Sequence, residues 1–358
     1  MVKTLRIGII GIGFGQHVLL PAFRSVAGVE ICAIAATSLE RAKKVARLHN
    51  IPRAYASWQE IIKDSELDAL AIAVPPKIQQ EIIAMALHHN KHLFCEKPLG
   101  LSPEQTKDFA LEAERRNLAH MVDFEFCAIP AWQAAHHFIS SGALGSLQSG
   151  MVNWQTETYA HRMKLDHWKI HAQEGGGVLL QFVSHVLHNL EWLCGPIAEI
   201  FMACIPSSQI DNIVHGVLKF ENNLMISICV GSASYCGSGY RVEIYGEYGS
   251  FRLMNETTDF SKDFDFVAFE RTGKIFSPEK TAFLPSSGDS RIAAVSILAS
   301  RFVHWIKTGE CQEPSFHHGH RVDLLIYACQ SSHQNQCWVS LKNLNSSIDQ
   351  NANITLVN

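Results

Sequence analysis

Residues 94–100 read FCEKPLG: a short apolar run that ends in a carboxylate, an ammonium and a proline. A primary amine such as Lys97 can stabilise negative charge growing on a substrate oxygen and can also pass it a proton. Pro98 restricts the backbone of Lys97 and permits a cis bond before it. A second stretch, GIGFGQ at 11–16, has the spacing of a phosphate-cradling turn. Gly11 permits a tight turn, and Gly13 lets a pyrophosphate come close to the backbone where a helix begins. The third glycine of that pattern is displaced, with Gly15 beside Gln16. A third stretch, GGGVLLQFVSHVLHN at 175–189, carries His185 and, one helical turn on, His188. An imidazole titrates where proton exchange near neutral pH needs it.

These groups need a scaffold, and the first 120 residues supply its pattern. LRIGIIG, VEICAIAA, ALAIAVPP, HLFCEKP and AHMVDFEF read as strands, separated by helical patterns such as SLERAKKVARLHN and QQEIIAMALHHN. Continuous apolar strands alternating with amphipathic helices predict a parallel sheet covered on both faces. Its strand ends are where ligands sit. Ser102 and Gln105 resemble a helix-capping box. The glycine turn falls at the first strand–helix junction, which is the context a dinucleotide site requires. At the tip of the second strand an NAD site places a carboxylate, but this chain reads Ala36, Thr37, Ser38 and then Arg41. Two hydroxyls and a guanidinium suit a 2′-phosphate, so NADP(H) is favoured over NAD(H). Ser38 can also cap the following helix.

Beyond residue 124 longer strands joined by short polar turns (ENN, GEYGS) predict an antiparallel sheet, with helices over DSRIAAVSILASRFVHWIKTG and from HRVDLL onward. The organisation expected is a Rossmann domain over 1–123, an α+β domain over 124–341 and a disordered tail over 342–358. A chain of 358 residues with a net charge of -4 has no basic field for nucleic acid. No apolar run reaches bilayer length, so no membrane partner is expected. Ten scattered cysteines without a CxxC pair read as reduced thiols in a cytoplasmic protein. The FHHGHR run at 316–321 lacks zinc spacing and reads as the start of a helix, so no metal is assigned.

Taken in order, GIGFG, VPP at 74–76, EKPLG at 96–100, VDFEF at 122–126, GALG at 142–145, the segment 175–195 and GEYGSFRL at 246–253 resemble the Gfo/Idh/MocA oxidoreductases. The resemblance implies a Rossmann domain followed by an open, mainly antiparallel sheet. It also implies hydride transfer between a nicotinamide and a hydroxyl or carbonyl carbon of a sugar, polyol or cyclitol. By motif position Lys97 matches the catalytic lysine and His185 the catalytic histidine. Cofactor contacts are expected from Gly11, Gly13, Phe14, Gly15, Thr37, Ser38, Arg41, Pro75, Glu96 and Lys97. Substrate contacts are expected from Lys97, Glu125, Trp168, Gln181, His185 and His188.

The chain departs from the family pattern D-x-G-x-H-x-x-D, where it has Gln181, Val183, His185 and His188, so both carboxylates are missing. That leaves a second reading open, a non-catalytic dinucleotide-binding regulator on the same scaffold. His188 reads equally as a proton group and as a core histidine. The cationic stretch 159–177, with His161, Arg162, Lys164, Trp168 and Lys169, reads equally as a solvated loop and as a lining for a small, anionic substrate. Family members pair through the C-terminal sheet, so a homodimer or homotetramer is expected.

Overall fold

The computed structural model describes residues 4–163, 165, 168–171, 174–206, 211–277 and 288–344. The tail expected over 342–358 lies outside them from residue 345 on. The chain forms two compact units. One comprises Met1–Ala128 and Leu284–Asp323, the other Ile129–Phe283 and Leu324–Asn358. The sequence reading put the boundary between its two domains at 123/124. The contacts divide the chain three times, because the helix Ile292–Thr308 and the first residues of the helix Phe316–Asn335 return to the first unit.

In the first unit β1 (Leu5–Ile10), β2 (Val29–Ala35), β3 (Arg53–Tyr55), β4 (Ala69–Ile72), β5 (His92–Cys95) and β6 (His120–Val122) make a sheet in the order β3-β2-β1-β4-β5-β6. Every pairing is parallel. The strands are apolar on both faces: Ile7, Ile9, Ala69, Leu70, Ala71, Ile72, Leu93 and Phe94 are fully buried. The order reverses between β1 and β4, so the carboxyl ends of these two strands open the crevice in which such sheets bind ligands. Helices start where small polar residues can accept their first N–H groups. Ser38 accepts from Arg41 and Ser102 from Gln105. The returning helix Ile292–Thr308 packs on this unit through Phe302, which meets Phe23 and Phe94 edge-on at 6.1 and 5.8 Å.

The second unit is built on β7 (Leu147–Gln155), β8 (Ile197–Pro206), β9 (Asp211–Phe220), β10 (Met225–Gly231), β11 (Gly239–Gly246), β12 (Gly249–Asn255), β13 (Asp265–Glu270), β14 (Ile275–Phe276) and β15 (Val339–Ser340). They form one sheet, β14-β13-β12-β11-β7-β10-β9-β8-β15, antiparallel throughout except for the β7–β10 pair. Its core holds Trp132, Tyr240, Phe251 and Leu253. No helix among the described residues is long and apolar enough to cross a membrane.

Candidate active site

In the first unit the glycine turn leaves β1 at the strand-order switch. Gly11 has φ +105°, and a Cβ there would overlap the Ala73 carbonyl at the end of β4. Only glycine lets the two strand ends approach so closely. Gly13 is exposed, and a Cβ on it would meet nothing within 4 Å. The space a pyrophosphate needs against the backbone is therefore present, and the turn fits a dinucleotide. The displaced third glycine also has a structural account. Gly15, whose Cβ would come within 3.0 Å of Ile9, provides the close helix–strand packing. The helix absorbs the shift by opening as a π-turn, Gly15–Leu19, before continuing as Leu20–Arg24. Such turns concentrate at functional sites.

Phe14 lies under the guanidinium of Arg291, 4.8 Å from its ring centroid. Asp289 holds that guanidinium through two hydrogen bonds, 2.8 and 2.6 Å. At the tip of β2, Thr37 and Arg41 are exposed, while Ser38 faces back to accept the Arg41 N–H at 3.5 Å. Pro75 precedes the helix Pro76–His88, and its carbonyl accepts from Ile78 and Gln79.

Lys97 follows β5 on the same rim as the glycine turn, and its bond to Pro98 is cis. The backbone around it is fastened from the helix Pro76–His88. Gln79, 1% exposed, reaches the carbonyls of Glu96 (2.6 Å), Pro98 (2.9 Å) and Leu99 (3.3 Å) with its amide nitrogen. The Gly100 N–H donates to Asp323 at 3.1 Å. Gln79→Leu leaves these carbonyls without their buried donor, so it should cost about 2 kcal/mol. A drop in the thermal unfolding midpoint accompanied by a fall in kcat would show it; an unchanged melting curve would remove the clamp from the account.

The side chain of Lys97 is half-buried. Burial pulls its ammonium below the ordinary lysine range, against the attraction of Glu96, Glu125 and Asp123. Glu125, half-buried, is pushed up to about 7 by burial and by Glu96, with Lys97 opposing. An amine with a lowered proton affinity, set among carboxyl groups at a strand end, gives up its proton at lower pH than an ordinary lysine and is suited to proton exchange.

In the second unit His185 lies at the start of the helix Ser184–Cys194, directly after another π-turn, Leu179–Val183. The glycine triplet before it has packing reasons. Gly177 has φ +105° and lies against Asp211, which accepts the Leu179 N–H at 2.8 Å, and a Cβ on Gly176 would strike the Lys169 carbonyl. His185 and His188 are buried, 6% and 5% exposed. The His185 ring lies 6.4 Å from Trp154, which stacks on Tyr240 at 4.2 Å. His188 Nδ1 contacts the side-chain amide oxygen Oδ1 of Asn189 at 3.4 Å. Gln181 donates to the Lys169 carbonyl at 2.7 Å, and Lys169 sits 5.9 Å over the Trp168 ring. His161 bridges Thr158 (2.6 Å) and Asn212 (3.0 Å). Lys164 lies outside the described residues. Among the described residues no group of three His, Cys, Asp or Glu side chains is arranged to hold a metal ion. The FHHGHR run does open a helix, Phe316–Asn335.

Comparison with known proteins fits this architecture. Residues 5–124 match the model of an oxidoreductase family with an NAD-binding Rossmann fold, and residues 132–252 match the GFO/IDH/MocA C-terminal domain. The chain belongs to the Gfo/Idh/MocA family of oxidoreductases. An uncharacterized oxidoreductase of Synechocystis is 28% identical over 97% of this chain and 99% of its own length. Levoglucosan dehydrogenase of Pseudarthrobacter phenanthrenivorans is 24% identical over 96% of this chain and 100% of its own. A levoglucosan dehydrogenase structure, in complex with NADH and L-sorbose, superposes with a TM-score of 0.86 at 22% identity. It covers 95% of this chain and 99% of that one. That likeness reinforces the fold; the two-domain family plan is the part of the sequence reading these matches establish.

Proposed function

We propose that this protein is an NADP(H)-preferring oxidoreductase acting on a CH–OH or carbonyl carbon of a sugar, polyol, cyclitol or related compound. The observation that carries the reading is Lys97, an amine of lowered proton affinity at the end of β5, on the rim where the glycine turn leaves room for a pyrophosphate. When bound, a nicotinamide supplies or takes the hydride. Gly11 and Gly13 shape the phosphate cradle, and the Phe14–Arg291 pair borders it. Lys97 stabilises the oxygen whose carbon changes oxidation state and exchanges its proton. His185 is assigned the second proton-carrying role. The dehydrogenases among its relatives support the substrate class, and the cations near Trp168 favour an anionic member of it.

In the direction of alcohol oxidation Lys97 must be the free amine. Because burial lowers its proton affinity, kcat should rise with pH and reach its plateau below the ordinary lysine value. Oxidation of NADPH and reduction of NADP+ across neutral and acidic sugars and polyols test the reading. Binding of the dinucleotide with no turnover on any of them, and no effect of replacing Lys97, would instead favour a regulator. Gln181 and His188, in place of two carboxylates, are the observation behind that second reading.

The cofactor preference follows from the carboxylate-free tip of β2. NADPH should raise the unfolding midpoint more than NADH does. Arg41→Ala should weaken NADPH binding about tenfold, the worth of one charge-assisted hydrogen bond, and leave NADH nearly unaffected. Equal shifts from both cofactors would contradict it. We also propose a homodimer or homotetramer through the C-terminal sheet, where Met151, Met225 and Tyr245 are exposed. Light scattering at the size-exclusion peak decides that, and a monomer would refute it.

A further inference from the structure

Asp123 follows β6. The register pairs Cys95 with Val122, and the Asp123 N–H donates to the Cys95 carbonyl at 2.8 Å, which sets Asp123 beside Glu96. Its side chain is 0% exposed, and neither carboxyl oxygen meets an N–H or O–H donor from a neighbouring group among the described residues. The carboxyl nearest it along the sheet is that of Glu96, which follows Cys95 on the neighbouring strand, and Glu96 is the charged neighbour that acts most strongly on it. A fully buried carboxylate set beside a second one is costly to keep charged, and one proton shared between the two turns repulsion into a hydrogen bond. The other charged groups facing this pair are Glu125, Lys97 and Arg291, and Arg291 is already matched by Asp289.

We propose that Asp123 is a neutral carboxylic acid that donates its O–H to the Glu96 carboxylate, and that it serves as a positioning residue for Lys97. The proposal rests on the reading of Lys97 as the proton-exchanging group. Glu96, fixed on one side by Asp123, accepts the Lys97 backbone N–H at 3.2 Å on the other. The pair presents one negative charge to the lysine rather than two. Two charges would hold the ammonium protonated to higher pH; one lets the amine form nearer neutrality. Burial, followed by Glu96 and Glu125, pushes Asp123 well above the usual aspartate range, the direction this arrangement needs. The motif EKP contains Glu96 and Lys97, but nothing in it announces the acid that supports them from the next strand.

The test uses the full chain without cofactor, as wild type, Asp123→Asn and Asp123→Leu. Infrared difference spectra report protonated carboxyl groups, and NMR of the lysine side chain reports the Lys97 titration. At neutral pH the wild type should show a protonated-carboxyl band that both substitutions remove. Asp123→Asn keeps a donor toward Glu96, so the Lys97 midpoint should move by less than about half a pH unit. In turnover assays Asp123→Leu should lower kcat about thirtyfold with a smaller change in KM, and Asp123→Asn should recover most of that loss. No such band in the wild type overturns the proposal. So does a fall of about one unit or more in the Lys97 midpoint of Asp123→Asn, because that is what removing a real negative charge would do. The band and the titration are read without turnover, so they decide this proposal even if no substrate is oxidised.

Discussion

Lys97→Met should lower kcat by about four orders of magnitude while changing dinucleotide affinity only a few-fold. Loss of a proton donor costs about 10²–10⁴ and loss of charge stabilisation at the oxygen about 10²–10³, and the two overlap because one group does both. Methionine keeps the apolar stem. The backbone it hangs from is held independently by Gln79 and Asp323, so the substitution should leave the local fold in place. The loss would then belong to the amine and not to a displaced loop. Lys97→Arg separates the amine's two roles. It retains a positive charge but cannot give up a proton near neutral pH, so it should recover substrate binding and not turnover. Steady-state kinetics beside a fluorescence titration of NADPH measure both. Turnover of Lys97→Met within tenfold of the wild type would remove Lys97 from the chemistry.

The same site has a signature in stability. The folded protein holds the Lys97 proton less tightly than the unfolded chain does. Between the two proton affinities the unfolded chain carries more protons, and the contribution of this residue to stability rises with pH. Glu125 acts oppositely. Its folded value of about 7 lies above its unfolded one, so its contribution is fully present in acid and is lost as pH rises through about 7.

How much of this could be read from the residues depended on the range of the interaction. The parallel sheet was legible because each buried strand, such as Ala69–Ile72, is a local apolar run. Ser38 and Ser102 were legible because a cap and its partner lie three residues apart. Lys97 could be placed because the end of a strand is a local feature and the sheet dictates what happens there. The π-turns at Gly15 and Leu179 were not legible, since one widened turn barely alters helical periodicity. Nor was the role of Gln79, whose partners lie 17 to 20 residues away, across a turn and a strand. Asp123 fell in the same class, because its meaning comes from a neighbour on another strand. The helix Ile292–Thr308 shows an apolar face, but amphipathicity does not say which unit will cover it, and here it returns to the first.

Gly11 and Gly13, two residues apart in one motif, should fail in opposite ways when substituted. Gly11 sits at φ +105° with the Ala73 carbonyl where a side chain would go. Gly11→Ala therefore adds backbone strain to a clash with the neighbouring strand and should cost about 3 kcal/mol of stability. Gly13 has open space in place of a Cβ. Gly13→Val should change stability by less than about 0.5 kcal/mol, since it displaces nothing in the protein. The same side chain would fill the volume that lets a pyrophosphate approach the backbone, so NADPH and NADH binding should both fall about a hundredfold or more. Denaturant melts paired with calorimetric titration separate the two effects. A Gly13→Val protein that keeps its melt and still binds dinucleotide as tightly as the wild type would mean that the phosphates lie elsewhere, and with them the whole site built around Lys97.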